Sequence, residues 1–306
     1  MESSMHGKRI HNAQSASAGL IKRGLHRLKK IKVSSVLVMI FILLMVLFSL
    51  LPVIYSVSNA FKPIDELFIY PPRFFARNPT LDNFAALFTA VGNSIVPFSR
   101  YIYNSIIVTV ASVLLTVVIT TMAAYAVSKL KMKYAGLYFN IIIMALMFSP
   151  YVTQIPRYLI VSQLNLLDTV WALVIPGLAT SFNLFLVKQF IDQFPDALLE
   201  AAKIDGSSEY GIFFRIVVPN LKPAIATLVV FTFNTYWNDG MSPLIYVTQQ
   251  ALKTLPIGLG TIGGGGIGRA GAVAAASLLA SLPTVIVFIV MQTKVVETMT
   301  YSGIKA

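Results

Sequence analysis

Residues 101–128 read YIYNSIIVTVASVLLTVVITTMAAYAVS, a stretch without one Asp, Glu, Lys or Arg. A soluble amphipathic helix shows periodic charge on its outer face, and this run has none. About 20 apolar residues suffice to cross roughly 30 Å of hydrocarbon as a helix. The same absence of charge recurs at 33–61, 134–156, 169–187, 223–238 and 270–293. The run 223–238 is short and is expected to extend back past Lys222, whose ammonium can snorkel to the interface. The pattern predicts an all-α integral membrane protein with six transmembrane helices.

Composition agrees with that class. The 306 residues are 56% hydrophobic and 12% charged, with a mean hydropathy of +0.75. A soluble domain carries about 25% charge, twice as much. No cysteine is present, so disulfides and thiolate metal sites are excluded.

The net charge of +12 invites a nucleic-acid reading, so its distribution matters. With the N-terminus inside, the inner segments hold 17 Lys and Arg and the outer segments 7. That split follows the positive-inside bias and predicts both termini in the cytoplasm. The charge is therefore a topology signal, and no nucleic-acid partner is expected. The expected organisation is a basic cytoplasmic tail at 1–32, a six-helix transmembrane domain at 33–293 and a short cytoplasmic tail at 294–306. In the first tail, Ile21, Leu25, Leu28 and Ile31 recur at helical spacing among basic residues. That segment either lies on the inner leaflet or acts as a plain topology determinant, the simpler reading. The apolar run after Lys32 is too long for a signal peptide and reads as an uncleaved anchor.

The most polar interruption is residues 188–222, expected on the cytoplasmic side and containing EAAKIDGSSEYGIFFRIVVPNLKP at 200–223. Pro195 suits the first turn of a helix, and Asp196 and Glu200 favour its N-terminal half. Gly206 is placed to end it as a left-handed cap. Ser207 or Ser208 can cap a second short helix with Glu209 in its first turn. Pro219 and Pro223 mark the entry to the next span. The first helix is expected to expose Ala201 and Ala202, small residues that let another surface approach. The alternative is a loop that folds only onto its own bundle.

These residues resemble the cytoplasmic signature of binding-protein-dependent ABC importer permeases. Glu200-Ala201-Ala202, Gly206, Ile216 and Pro219 stand at that signature's spacing. Val218 departs from it, standing where Leu is usual, and Asp205 matches the sugar-importer version. FARNPTLDNFAALF at 75–88, the run 103–131 and TLPIGLG at 254–260 resemble segments of sugar permeases similar to the maltose transporter's shorter subunit. The ending VVETMTYSGIKA at 295–306 departs from the maltose type and looks closer to permeases for complex oligosaccharides. The resemblance implies a type I ABC importer permease fold, with Glu200, Ala201, Ala202, Asp205, Gly206, Ile216 and Pro219 forming a coupling segment. It also implies a second permease subunit as heterodimer partner, two ATPase subunits that bind ATP and Mg, an extracytoplasmic solute-binding protein, and a carbohydrate substrate. The expected location is a bacterial or archaeal cell membrane.

The chain has no phosphate-binding loop of the G-x-x-x-x-G-K-[ST] type, and no cofactor of its own is expected. The Gly-rich run at 258–271 lacks the lysine and reads as a flexible external loop. Asp239 sits near the outer end of the fifth span, and all three His lie in the N-terminal tail. Proton-coupled carriers place Asp, Glu or His inside their helices. Energy is therefore expected to arrive through a partner, not from an ion gradient or from catalysis in this chain.

For the solute pathway, Thr227, Phe231, Asn234 and Asn238 fall on one face of the fifth helix. Tyr236 and Trp237 flank it, and Asn183 adds an amide on the fourth. Amides and aromatic rings suit a sugar's hydroxyls and C–H faces. The alternatives are interhelical hydrogen bonding for the amides and an interfacial aromatic belt for Trp237.

Overall fold

The computed structural model describes residues 33–92, 96–130, 132–264 and 266–303. The basic N-terminal tail lies outside the described residues. Among those described, regular structure is helical throughout. In chain order the helices are α1 (Val33–Phe61), α2 (Ile64–Leu67), α3 (Asp82–Gly92), α4 (Phe98–Lys129), α5 (Ala135–Ala145), α6 (Gln154–Gln163), α7 (Val170–Val174) and α8 (Ser181–Asp192). There follow α9 (Asp196–Ile204), α10 (Glu209–Ile212), α11 (Val218–Asn220), α12 (Lys222–Trp237), α13 (Met241–Tyr246), α14 (Leu255–Gly263) and α15 (Ala270–Gly303). The chain divides into two compact units, residues 1–56 and 57–306.

In the first unit, the described residues form most of α1. It is apolar on every side, and its side chains from Ser34 to Ile54 are exposed in this chain. A helix without a polar face belongs in lipid or against other protein.

The second unit is organised around α4, which packs against α8, α12 and α14. The sequence reason lies on its inner face. Ser105, Thr109, Ser112, Thr116 and Thr120 follow at steps of four, three, four and four, and all are buried. Small hydroxyl residues let neighbouring backbones approach closely inside a membrane bundle. One apolar core joins Ala124 and Tyr125 of α4 to Val187 and Ile191 of α8, Leu199 and Ala202 of α9, and Ile212 and Val217. A second joins Phe98 and Tyr101 to Leu87, Trp237, Leu255 and Ala276.

Among the described residues, three helices are long and apolar enough to cross a membrane: Ser34–Phe61, Phe98–Lys129 and Ala270–Val295. Two bent pairs raise the number to five if each is one crossing. Val170–Gly177 meets Ser181–Asp192 at 48°, and Glu209–Asn220 meets Lys222–Trp237 at 77°. The run 134–156 departs from the single helix expected there. It forms α5, then turns through Ser149 and Pro150 into α6, leaving α5 only 11 residues long. Proline lacks the N–H that a continuous helix needs, a property that a search for missing charges does not detect.

The Gly-rich run also differs from expectation. Residues 258–263 belong to α14, and Ile267–Arg269 form a 3₁₀ turn leading into α15. This region is anchored on α4. The Asn104 amide donates to the carbonyls of Ala251 at 2.8 Å and Lys253 at 2.9 Å, and the Leu255 N–H donates to Ser105 Oγ at 2.8 Å. Gly258 lies flat on Tyr101, where an added Cβ would stand 2.8 Å from ring Cγ. The segment 75–88 is equally tied. Glu66 accepts the N–H groups of Arg77 and Asn78, and the buried Asn83 amide donates to the carbonyls of Ala60 and Lys62. A side chain at Gly271 would collide with Asn83.

A third tie closes the loop before α7. Asp168 has φ 57°, and its carboxylate accepts from the Thr248 N–H at 2.6 Å, the Thr248 hydroxyl at 2.7 Å and the Gln249 N–H at 3.1 Å. The Thr248 hydroxyl, followed by the two backbone donors, holds this carboxyl below its usual range.

Gly258→Ala is expected to cost about 1–3 kcal/mol by overpacking. Gly260→Ala in the same helix, where a Cβ meets nothing within 4 Å, should be neutral or slightly stabilising. Thermal unfolding of the two detergent-solubilised variants against the parent checks the contrast. At Asp168 the folded-state carboxyl is depressed, so its contribution is complete above the ordinary value of 3.8 and is lost as pH falls through the lower folded value. Hydrogen exchange at the Thr248 and Gln249 amides should therefore be slow at pH 5. Asp168→Ala should speed it at pH 5, and Asp168→Asn, which tolerates the left-handed backbone, should speed it less.

Candidate functional site

The segment between α8 and α12 is built from its backbone outward. Pro195 precedes α9 with extended dihedrals, and Asp196 stands in the first turn while Lys203 stands in the last. Both charges complement the helix dipole. At the far end, the Gly206 N–H bonds the Lys203 carbonyl and the Ser207 N–H bonds the Ala202 carbonyl, each at 3.0 Å. Gly206 itself has φ +83°. This is a Schellman stop, which consumes the terminal carbonyls and requires a left-handed residue. Space is not the reason for glycine, because a Cβ at 206 would meet nothing within 4 Å. Ser208 then caps α10, its hydroxyl accepting from the Gly211 N–H at 3.2 Å.

After α10 the chain makes a π-helical turn at Phe213–Val217 before α11. Such a turn inserts one residue into the helical register, and π turns are common at functional sites. Ile216, inside this turn, is half-buried and packs on the core beside Val217, whereas Pro219 is exposed. The 77° bend into α12 follows at once.

Glu200, Ala201, Asp205 and Gly206 are exposed along one side of the hairpin. Ala202 is not with them. It is 7% exposed and packs with Leu199 into the core beneath. Leu199 and Ala202 are three apart and form the inner face of α9, so the small residue offered outward is Ala201.

Two side chains that sequence reading did not single out hold this hairpin from α4. Lys129 Nζ donates to the Phe194 carbonyl at 2.8 Å and to Asp196 Oδ1 at 2.7 Å. Tyr125 Oη donates to Glu209 Oε2 at 2.9 Å, and the other Glu209 oxygen pairs with Lys203. The Lys203–Glu209 pair is about half exposed and contributes roughly 0–1 kcal/mol. Lys129 differs, because its side chain is only 8% exposed, and an ammonium left there without its carboxylate would be costly. The only signal in the sequence was the four-residue spacing of Tyr125 and Lys129 at a helix end.

The second group of candidate residues lies on α12 and α8. Phe231, Asn234 and Asn238 share an exposed face. The Asn238 amide donates to both the backbone carbonyl and Oδ1 of Asn234, each at 3.0 Å. Phe231 meets Phe182 of α8 edge to face at 5.6 Å, which brings α8, with the buried Asn183, beside this face. Thr227 is buried, and its hydroxyl donates to the Pro223 carbonyl. Trp237 and Tyr236 are turned away. The Trp237 indole stacks on Phe233 at 5.6 Å and donates to the Ala280 carbonyl at 2.8 Å. Tyr236 Oη donates to the Val174 carbonyl. The chain thus gathers two exposed amides and one aromatic ring on a single face, chemistry suited to hydroxyl-rich solutes, while its buried Trp and Tyr knit helices together. Among the described residues, no cluster of three or more His, Cys, Asp or Glu could hold a metal ion.

Comparison with known proteins identifies the family and the fold. Residues 16–300 match the family of the binding-protein-dependent transport system inner membrane component. Protein LplC of Bacillus subtilis (strain 168) is 37% identical over 205 residues, which cover 65% of this chain and 65% of that protein. The arabinooligosaccharides transport system permease protein AraQ of Halalkalibacterium halodurans is 28% identical over 260 residues, 83% of this chain and 90% of that one. The fold is that of a chain in the crystal structure of a bacterial ABC transporter that imports the acidic polysaccharide alginate. The TM-score is 0.74 at 21% identity, covering 85% of this chain and 96% of the other. This chain therefore belongs to the binding-protein-dependent transport system inner membrane component family.

Proposed function

We propose that this chain is the permease subunit of an ATP-driven ABC importer, translocating a sugar or oligosaccharide delivered by an extracytoplasmic solute-binding protein. One observation carries the reading. In a chain of this family, the exposed helix Asp196–Ile204 ends in a Schellman stop and offers Glu200, Ala201 and Gly206 to a partner. Its partner is the ATPase subunit, which supplies ATP and Mg chemistry. Ala201 lets the cleft of that subunit close over the helix, and Asp205, Ile216 and Pro219 fix the return of the chain into α12.

Transport proceeds by alternating access. Closure of two ATPase subunits on ATP moves the coupling helix, and the bundle reorients a cavity bordered by Asn183, Phe231, Asn234 and Asn238. Trp237, bound to α15 through Ala280, supports that wall from behind. Six crossings with both termini cytoplasmic fit the 17-to-7 distribution of Lys and Arg, with α5 and α6 together as the third. A second permease subunit covers α5, none of whose residues is buried in this chain. The oligosaccharide class is supported by AraQ, whose name gives arabinooligosaccharides, and by the amide-lined face.

The test is reconstitution of the full complex, with partner permease, ATPase and binding protein, in proteoliposomes. Oligosaccharide uptake is expected to require ATP and binding protein, and to survive collapse of ion gradients. Uptake that follows the ion gradient instead would make this chain part of a secondary carrier. Gly206→Pro, which cannot adopt a positive φ, and Glu200→Lys should each reduce uptake more than about tenfold, the effect of losing some 1.4 kcal/mol of docking energy. Both should still insert in the membrane. Normal uptake by both variants would remove the coupling helix from the mechanism.

A further inference from the structure

The last turns of α4 hold the coupling hairpin at two separate points. Tyr125 and Lys129 are four residues apart and so share one face of the helix. Lys129 grips the entry to the hairpin, at Phe194 and Asp196, and Tyr125 grips its exit, at Glu209. The apolar contact between them, including the Tyr125 and Phe213 rings at 5.4 Å, is non-directional and leaves sliding open. Charge-assisted hydrogen bonds set direction and register. One attachment would let the hairpin pivot, whereas two fix its orientation on α4.

The helix they belong to runs unbroken for 32 residues, about 48 Å at 1.5 Å per residue. At its other end, Asn104 and Ser105 grip the 251–255 segment by three hydrogen bonds. One rigid element is therefore hydrogen-bonded to the coupling hairpin at one end and to the 251–255 segment at the other.

We infer that α4 is the transmission rod of the importer, and that Tyr125 and Lys129 are positioning residues that clamp the coupling hairpin to it. This rests on the importer reading above. The clamp makes movement of the hairpin and movement of α4 a single displacement. Without it the ATPase still closes on the hairpin, but the stroke is spent in rotation between hairpin and bundle.

The clamp is tested in the complete reconstituted complex with Tyr125→Phe, Lys129→Met, the double variant, and the exchange Lys129→Asp with Asp196→Lys. Methionine keeps the volume of the lysine stem while removing its buried charge. The readout is solute imported per ATP hydrolysed, together with the stimulation of hydrolysis by solute-loaded binding protein. The double variant is expected to lower both ratios at least about fivefold, the lower end of typical coupling between sites. The exchange should recover a large part of the loss caused by Lys129→Met. Unchanged ratios in the double variant would overturn the clamp. So would hydrolysis and uptake falling in step, which marks lost docking rather than lost transmission, or an exchange that recovers nothing. If Lys129→Met fails to assemble, Tyr125→Phe and the exchange carry the same test. A parent complex whose uptake needs no ATP would instead defeat the importer reading itself.

Discussion

Hydrocarbon offers no water to a peptide group, so every N–H and C=O at membrane depth needs a partner within the protein. That constraint explains both the helices and the places where they break. α4 runs unbroken because its hydroxyl residues can lie against neighbours without disturbing its own backbone bonds. Elsewhere breaks occur where substitutes exist. Before α7 the Thr169 side chain accepts from Ala172, and at the hairpin the Ser208 hydroxyl and the Schellman bonds take over. At both breaks a side chain takes over part of the bonding that the helix backbone gives up.

The two candidate sites solve different problems. The α9–α10 hairpin combines a firm inner face, with Leu199, Ala202 and Ile212 in the core, and an outer face on which Glu200 and Ala201 are exposed beside the large side chains of Leu198 and Ile204. The α12 face combines exposed amides with a rear surface locked by Trp237 and Tyr236. In each, the inward side is packed into the bundle while the outward side stays open, with Ile204 on the hairpin and Phe231 on α12 among the exposed residues.

Much of this was legible in the sequence because it depends on local chemistry. Charge-free runs revealed the apolar helices, and the stop at Gly206 followed from glycine standing after a helical pattern. What escaped depended on tertiary partners or on looking for the wrong residue type. In the run 134–156 the missing charge suggests one helix, but charge does not register Pro150. Composition groups Ala202 with Ala201, although its spacing from Leu199 places it inward. The glycines of 258–263 suggest a loop, yet Gly258 is small so that α14 can lie on Tyr101. Trp237 was grouped with Asn234 and Asn238 by chemical type, while helical geometry turns it toward α15. Lys129 looked like one more topology charge, because its contacts at Phe194 and Asp196 are 65 and 67 residues away.

The empty space around Gly206 has a consequence of its own. Nothing crowds that α-carbon, so the position selects for handedness alone. Asparagine, which visits the left-handed region more readily than other side chains, is the natural replacement open to drift there. A mirror-image alanine would satisfy the turn without strain. The junction behaves as a chiral stop that fixes where α9 ends.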